Sequence, residues 1–280
     1  MKIVTITRDN DFVIVVPTRS VESELAKGFL KAVEETSCLN PSIIMIESSG
    51  PEFHFSKVMN IGISEAFKMS PSAIALSNDD VRPLTKCWDR IMIEKVRKDN
   101  LAYISPIFVN DKGRIVGPIV VMPSYLKVEL FTTFYGVIPS QLFPFIRWLH
   151  KVTTRARVEY NSSSLNSFSG IVNTQPFSIF NSSSLKDIGG FDERFVNGVE
   201  DFDLALNTFS HGMKIGLDTS VKFLDIGSAT IGKGGFSILY RPNKADKQKV
   251  ENWRFLIKKY GRKKYNNYIE SFFSKVIVYR

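Results

Sequence analysis

The 280-residue chain is 44% apolar and 23% charged, with a formal net charge of +9. That is enough apolar mass for one sizeable core, and a charge that draws polyanions or anionic surfaces before any specific contact forms. Cys38 and Cys87 belong to no CxxC or Cys/His cluster, which argues against a disulfide framework and against structural zinc and fits a reducing cytosol.

The N-terminal apolar runs are broken by Arg8, Asp9, Asn10 and Asp11, so they read as neither a signal peptide nor a membrane span. "FVIVVPT" (12–18) and "SIIMIES" (42–48) are short β-branched runs ended by turn residues, and "ESELAKGFLKAVEET" between them has helical spacing. "KVMNIGISEAFKMS" reads as a second helix, with Met59, Ile63, Ala66 and Phe67 on one face, and it leads into "AIALS" as a third strand. Strands joined through helices run parallel, and in such open sheets ligands bind beyond the carboxyl ends of the strands. Three segments are expected there: Pro17-Thr18-Arg19, Glu47-Ser48-Ser49-Gly50 and Asn78-Asp79-Asp80.

A helix is expected near Trp88 to Lys98, then two strands, "LAYISPIFV" and "GRIVGPIVVMP", joined by the turn "NDKG". From Ser124 to Asn166 aromatic and apolar residues dominate, with Pro139 and Pro144 preventing one long helix. That stretch reads either as an insertion packed on the core or as a docking surface for a membrane or acceptor. The basic run Lys258, Lys259, Arg262, Lys263 and Lys264 reads either as a solvated helix face or as an anion-binding surface.

Two acidic clusters carry the chemistry. "AIALSNDDVRP" ends an apolar run in adjacent acids, which repel unless a cation sits between them; "VEDFDLAL" puts Glu200, Asp201 and Asp203 in the first turn of an amphipathic helix. Arrival at water explains the first and the helix dipole explains the second. Together they are also the minimum for a metal-assisted displacement with a general base. His54, His150 and His211 show no metal-ligand spacing.

From Asp11 to Gly261 the sequence resembles the family-2 glycosyltransferases, inverting enzymes with the glycosyltransferase-A fold. The resemblance is carried in order by "VIVVPTR", "IIMIESSG", "VMNIGISEA", "ALSNDDVRP" and, most specifically, "FNSSSLKDIGGFDERFVNGVEDFDLAL". It implies an α/β fold with a Rossmann-like, mostly parallel central sheet flanked by helices, an aromatic-rich insertion and a helical C-terminal tail. The implied organisation is a catalytic domain over 1–240, with a nucleotide-sugar half to about 123 and an acceptor half from about 124, and a basic extension over 241–280.

The same resemblance implies site residues. Pro17, Thr18, Arg19, Glu47, Asn60, Asn78 and Asp79 match the nucleotide-sugar side, with Glu47 replacing the usual Asp and Asn78 the first acid of the metal motif. Asp80 matches the metal-contacting acid, and Asp225 stands where the family often has a histidine, a hard ligand able to restore the missing charge for Mn²⁺ or Mg²⁺. Asp201 matches the general base, with Glu200 orienting the acceptor. Lys233 and Gly232, Gly234 and Gly235 form a candidate phosphate loop. The implied partners are a nucleotide-diphosphate sugar donor and a glycan, lipid-linked or protein acceptor, in the cytoplasm and in peripheral contact with the inner membrane face. Nucleic acid has no motif behind it. A non-catalytic module that keeps the fold and binds through its aromatic-basic surface is the alternative.

Overall fold

The computed structural model describes residues 1–50, 53–120, 122–134, 171–226 and 244–280. Its first half repeats one device, an apolar strand followed by a capped helix. Strand β1 (Lys2–Ile6) precedes β2 (Asp9–Thr18), and Ser23 then caps α1 (Glu24–Thr36) by accepting from the Ala26 N–H. β3 (Pro41–Glu47) follows, then α2 (Phe55–Lys68), capped by His54, then β4 (Ala73–Ser77). The short β5 (Val81–Pro83) leads to α3 (Trp88–Asp99) and β6 (Leu101–Val109).

β7 (Ile115–Gly117) returns along β6, β8 (Ile119–Val120) pairs with β9 (Ile171–Val172), and α4 (Tyr125–Phe134) lies between those two. Next come β10 (Phe177–Asn181), α5 (Ser182–Ile188), α6 (Glu200–Ser210) and β11 (Lys214–Asp225). The chain ends in α7 (Lys244–Ser271), broken at Gly261 (φ 69°), a 3₁₀ turn at Phe272–Lys275 and β12 (Val276–Tyr279).

The main sheet runs β1-β3-β2-β4-β10-β6-β11-β12. β3, β2, β4, β6, β11 and β12 point one way; β1 and β10 oppose them. The expected mostly parallel sheet flanked by helices is therefore observed. Because both faces are covered, β2 is a continuous apolar run rather than an alternating one. Its Val13 and Val15 join a core with residues of α2, α5, α6 and α7; its Phe12, Ile14 and Val16 join another with residues of α1 and α3. At Gly62 of α2 a Cβ would stand 2.3 Å from Val15 Cγ1, so only glycine allows the helix this close to the sheet.

Three expectations are corrected. Cys38 and Cys87 form a disulfide, with Cα atoms 4.7 Å apart. Their 49-residue separation hid this, because the fold sets the end of α1 beside the start of α3, where Cys87 N–H donates to Thr36 O (2.8 Å) and the buried Asp89 accepts from Leu39 N–H (2.8 Å). The reducing-compartment argument loses its ground. Second, the strand expected over "GRIVGPIVVMP" is two pieces in two sheets, because Pro118 has no N–H to continue a ladder. Third, the tail is not only helical: its last segment is a strand parallel to β11. Pro139, Pro144, most of the aromatic stretch, His150 and the Gly232–Gly235 loop lie outside the described residues.

Candidate functional site

The carboxyl ends of β2, β3 and β4 converge as the alternation of strand and helix requires. Thr18, buried at the end of β2, donates its hydroxyl to Asp79 Oδ2 (2.7 Å), while Glu47 at the end of β3 accepts from Val21 N–H (3.3 Å) and so orders the β2–α1 turn. Pro17 is buried below them and Arg19 is exposed above. Arg82 bonds the carbonyls of Asp79 (2.7 Å) and Leu25 (2.8 Å), fixing the acidic turn against α1.

Asp80 is the tense member of this group. The antiparallel pairing of β5 with β11 sets Asp225 opposite Val81, and Ile226 N–H donates to Asp80 O (3.1 Å). Burial, then the negative charges of Asp225 and Asp79, push the Asp80 carboxyl up to about 6. Asp80 Oδ1 and Asn78 Oδ1 are both buried and have no hydrogen-bond partner among the described residues.

The second acidic cluster opens α6. Asn197, Gly198 and Val199 all have positive φ (52°, 142° and 76°), which for the β-branched Val199 is a strained conformation. Glu200 folds back to accept from Gly198 N–H, tying the start of the helix to the strained approach, while Val199 at the N-cap position offers no side-chain cap. Asp201 accepts from Asn173 Nδ2 (2.7 Å) and from Phe202 N–H (2.9 Å). Burial raises both carboxyls, Glu200 further through the charge of Asp201. Asp203 points elsewhere, to Lys259 (2.7 Å) and Tyr260 (2.9 Å), so one member of the basic run is an ion-pair partner while Lys258, Arg262, Lys263 and Lys264 are exposed.

One segment joins the two clusters. Asn173 holds Asp201, and three residues on the Pro176 carbonyl accepts from Asn78 N–H (2.8 Å). Three residues span at most about 11 Å, so both clusters belong to one edge of the molecule. Asn60 stands apart: its amide donates to Phe191 O (2.8 Å) and Glu193 (3.0 Å) and accepts from Phe191 N–H (2.9 Å), which ties α2 to the loop after α5.

Sequence reasoning missed Asn173, Gln175 and Asn252. The last, 2% exposed on α7, donates to the Val196 (2.9 Å) and Gly198 (2.7 Å) carbonyls and so holds the strained approach to Glu200 from behind.

Among the described residues no three His, Cys, Asp or Glu side chains cluster closely enough to share an ion. The groups at the strand ends that could contribute to holding one are mixed instead: the carboxylates of Asp80 and Asp225 and the amide oxygen of Asn78. Two orphaned buried oxygens among mutually repelling acids, all hard donors, fit Mg²⁺ or Mn²⁺ with further ligand oxygens completing the shell. No helix among the described residues is long and apolar enough to cross a membrane.

No family model and no curated protein matches the sequence. Solved structures do. GalNAc-T7, crystallised with UDP, GalNAc and Mn²⁺, superposes with a TM-score of 0.56 over 92% of this chain at 11% identity. Residues 1–349 of S. aureus TarS cover 77% of it at 12% identity (TM-score 0.43), and a Drosophila beta-1,4-galactosyltransferase 7 mutant covers 74% at 13% (TM-score 0.40). The likeness that carries weight is the first, and it establishes the architecture: the chain has the glycosyltransferase-A fold. It spans 50% of the GalNAc-T7 chain and 60% of the TarS fragment.

Proposed function

We propose that the protein is an inverting glycosyltransferase that moves a sugar from a nucleotide-diphosphate donor to an acceptor hydroxyl. The observation that carries this reading is the Asn173–Pro176 segment, tied to Asp201 at one end and to Asn78 at the other. Inversion needs a base on one side of the anomeric carbon and the leaving group on the other, and two acidic clusters along one edge meet that need.

In this reading Pro17, Thr18, Arg19, Glu47, Asn78 and Asp79 form the donor side, while Asp80 and Asp225 would hold a divalent cation, which would neutralise charge on the leaving diphosphate. Asp201 takes the proton of the acceptor hydroxyl; the acceptor oxygen bonds to the anomeric carbon as the bond from that carbon to the phosphate oxygen breaks, and the nucleoside diphosphate departs with the electron pair. Glu200, spent on its own helix, is the weaker candidate base. A glycan, lipid-linked or protein acceptor fits equally. The exposed basic face of α7 supports peripheral contact with an anionic membrane.

The experiment is hydrolysis or transfer of UDP-sugars with Mn²⁺, chosen because GalNAc-T7 was crystallised with UDP and Mn²⁺. Turnover that depends on Asp201 supports the reading. Asn78 in place of an acid, and the lack of a three-ligand cluster among the described residues, favour a second reading as a non-catalytic module, which would bind without turnover.

A further inference from the structure

Gln175 lies inside the segment that links the two acidic clusters. It is 8% exposed, and among the described residues neither its Nε2 nor its Oε1 has a hydrogen-bond partner. Its neighbours are engaged: Asn173 with Asp201, Thr174 N–H with Asn173 Oδ1 (2.8 Å), the Pro176 carbonyl with Asn78 N–H. Leaving a buried amide unpaired is costly, and an apolar side chain of the same size would remove the cost, so the amide implies a partner that arrives from outside.

The chemistry of that partner follows from what is open. Gln175 offers a donor edge and an acceptor edge together. Phosphate oxygens would serve only the donor edge and a metal ion only the acceptor. Neighbouring hydroxyls, each able to give and to take a hydrogen bond, serve both. We propose that Gln175 is a specificity residue that reads two adjacent hydroxyls of the transferred sugar, seated between the Asn78–Asp80 turn and Asp201. This rests on the glycosyltransferase reading and deepens it.

The test is Gln175→Leu, compared with wild type in two measurements. The melting temperature of the free protein should hold or rise, because an unpaired amide has been replaced by an apolar group. By calorimetry with Mn²⁺, affinity for UDP should stay within about twofold, while affinity for UDP-glucose, UDP-galactose or UDP-N-acetylglucosamine, whichever wild type binds, should fall about tenfold or more. Unchanged sugar-nucleotide affinity would assign the amide to ordered water and overturn the inference. A lowered melting temperature would assign it to an internal partner, and equal losses for UDP and UDP-sugar would assign it to the nucleotide; either overturns it too. If wild type binds none of these nucleotides, the glycosyltransferase reading itself falls and the inference with it.

Discussion

The two acidic regions are built by opposite means. At the strand ends Asp80 is crowded by Asp225 and Asp79 and keeps an oxygen with no partner. At the start of α6, Asp201 has both oxygens bonded and Glu200 is turned back onto Gly198. One region is a carboxyl crowded by like charge, the other charge held in a single geometry. A cation site needs the first condition, since the ion supplies what the protein withholds. A general base needs the second, because reorienting it during reaction would cost rate.

The largest expected effect breaks the comparison at the base. Asp201→Asn keeps the shape and one of the two accepted bonds but removes the proton acceptor, so transfer should fall by about 10²- to 10⁴-fold with an unchanged circular dichroism spectrum. Full turnover in this variant would end the assignment.

The next breaks it at the proposed cation site and is read in stability. The folded Asp80 carboxyl titrates near 6 rather than 3.8, so its charge is a burden that is absent in acid and grows as pH rises through that value. In EDTA at about pH 7.5, Asp80→Asn should stabilise the fold by up to about 3 kcal/mol, and the gain should vanish near pH 4. The same variant should lose any rise in melting temperature that Mn²⁺ gives wild type. A variant that melts lower at both pH values would mean that Asp80 has an internal partner.

How much of this was legible in the sequence follows the range of the contacts. The β2-α1-β3-α2-β4 series was readable because each strand is a β-branched run closed by a turn residue and each helix shows its apolar face locally. Both acidic clusters were readable as short strings at the edges of such elements, whereas Asp225 is a candidate ligand only through the family resemblance, and the fold alone sets it opposite Val81 of β5. What was hidden is what the fold brings together. Cys38 and Cys87 looked solitary, and "VNTQP" is a bland polar stretch that shows neither its bond to Asp201 nor its orphaned amide. Asn252 passed as part of an aromatic-basic helix, and "VIVY" is too short to declare a strand in the main sheet. Asn60 shows the reverse case: a familiar position in a motif points to the donor side, while the contacts its amide makes are with the Phe191 backbone.

Asn252 allows the comparison to be sharpened from a distance. Asn252→Ala leaves two carbonyls before Glu200 without their donor, so stability should fall by about 1–3 kcal/mol. If the two regions are as separate as their construction implies, kcat should drop several-fold while affinity for UDP with Mn²⁺ stays the same. A parallel loss of UDP affinity would show that the loop before α6 also shapes the donor side.

The last effect is the most discriminating, because it moves a pH profile rather than abolishing a rate. Burial lifts the Asp201 carboxyl, and the Asn173 bond is the foremost of the contacts that pull it back down. Asn173→Ala removes that contact and leaves room for water to serve Thr174 N–H, so the carboxyl should rise further. A base acts only when deprotonated, so the rising limb of kcat/KM should move to higher pH, with about a tenfold loss at neutral pH that is recovered in alkali. A loss equal at every pH would mean that Asn173 positions the acceptor instead of tuning the base, and the strict division between a region of crowded charge and a region of fixed geometry would then need a third participant.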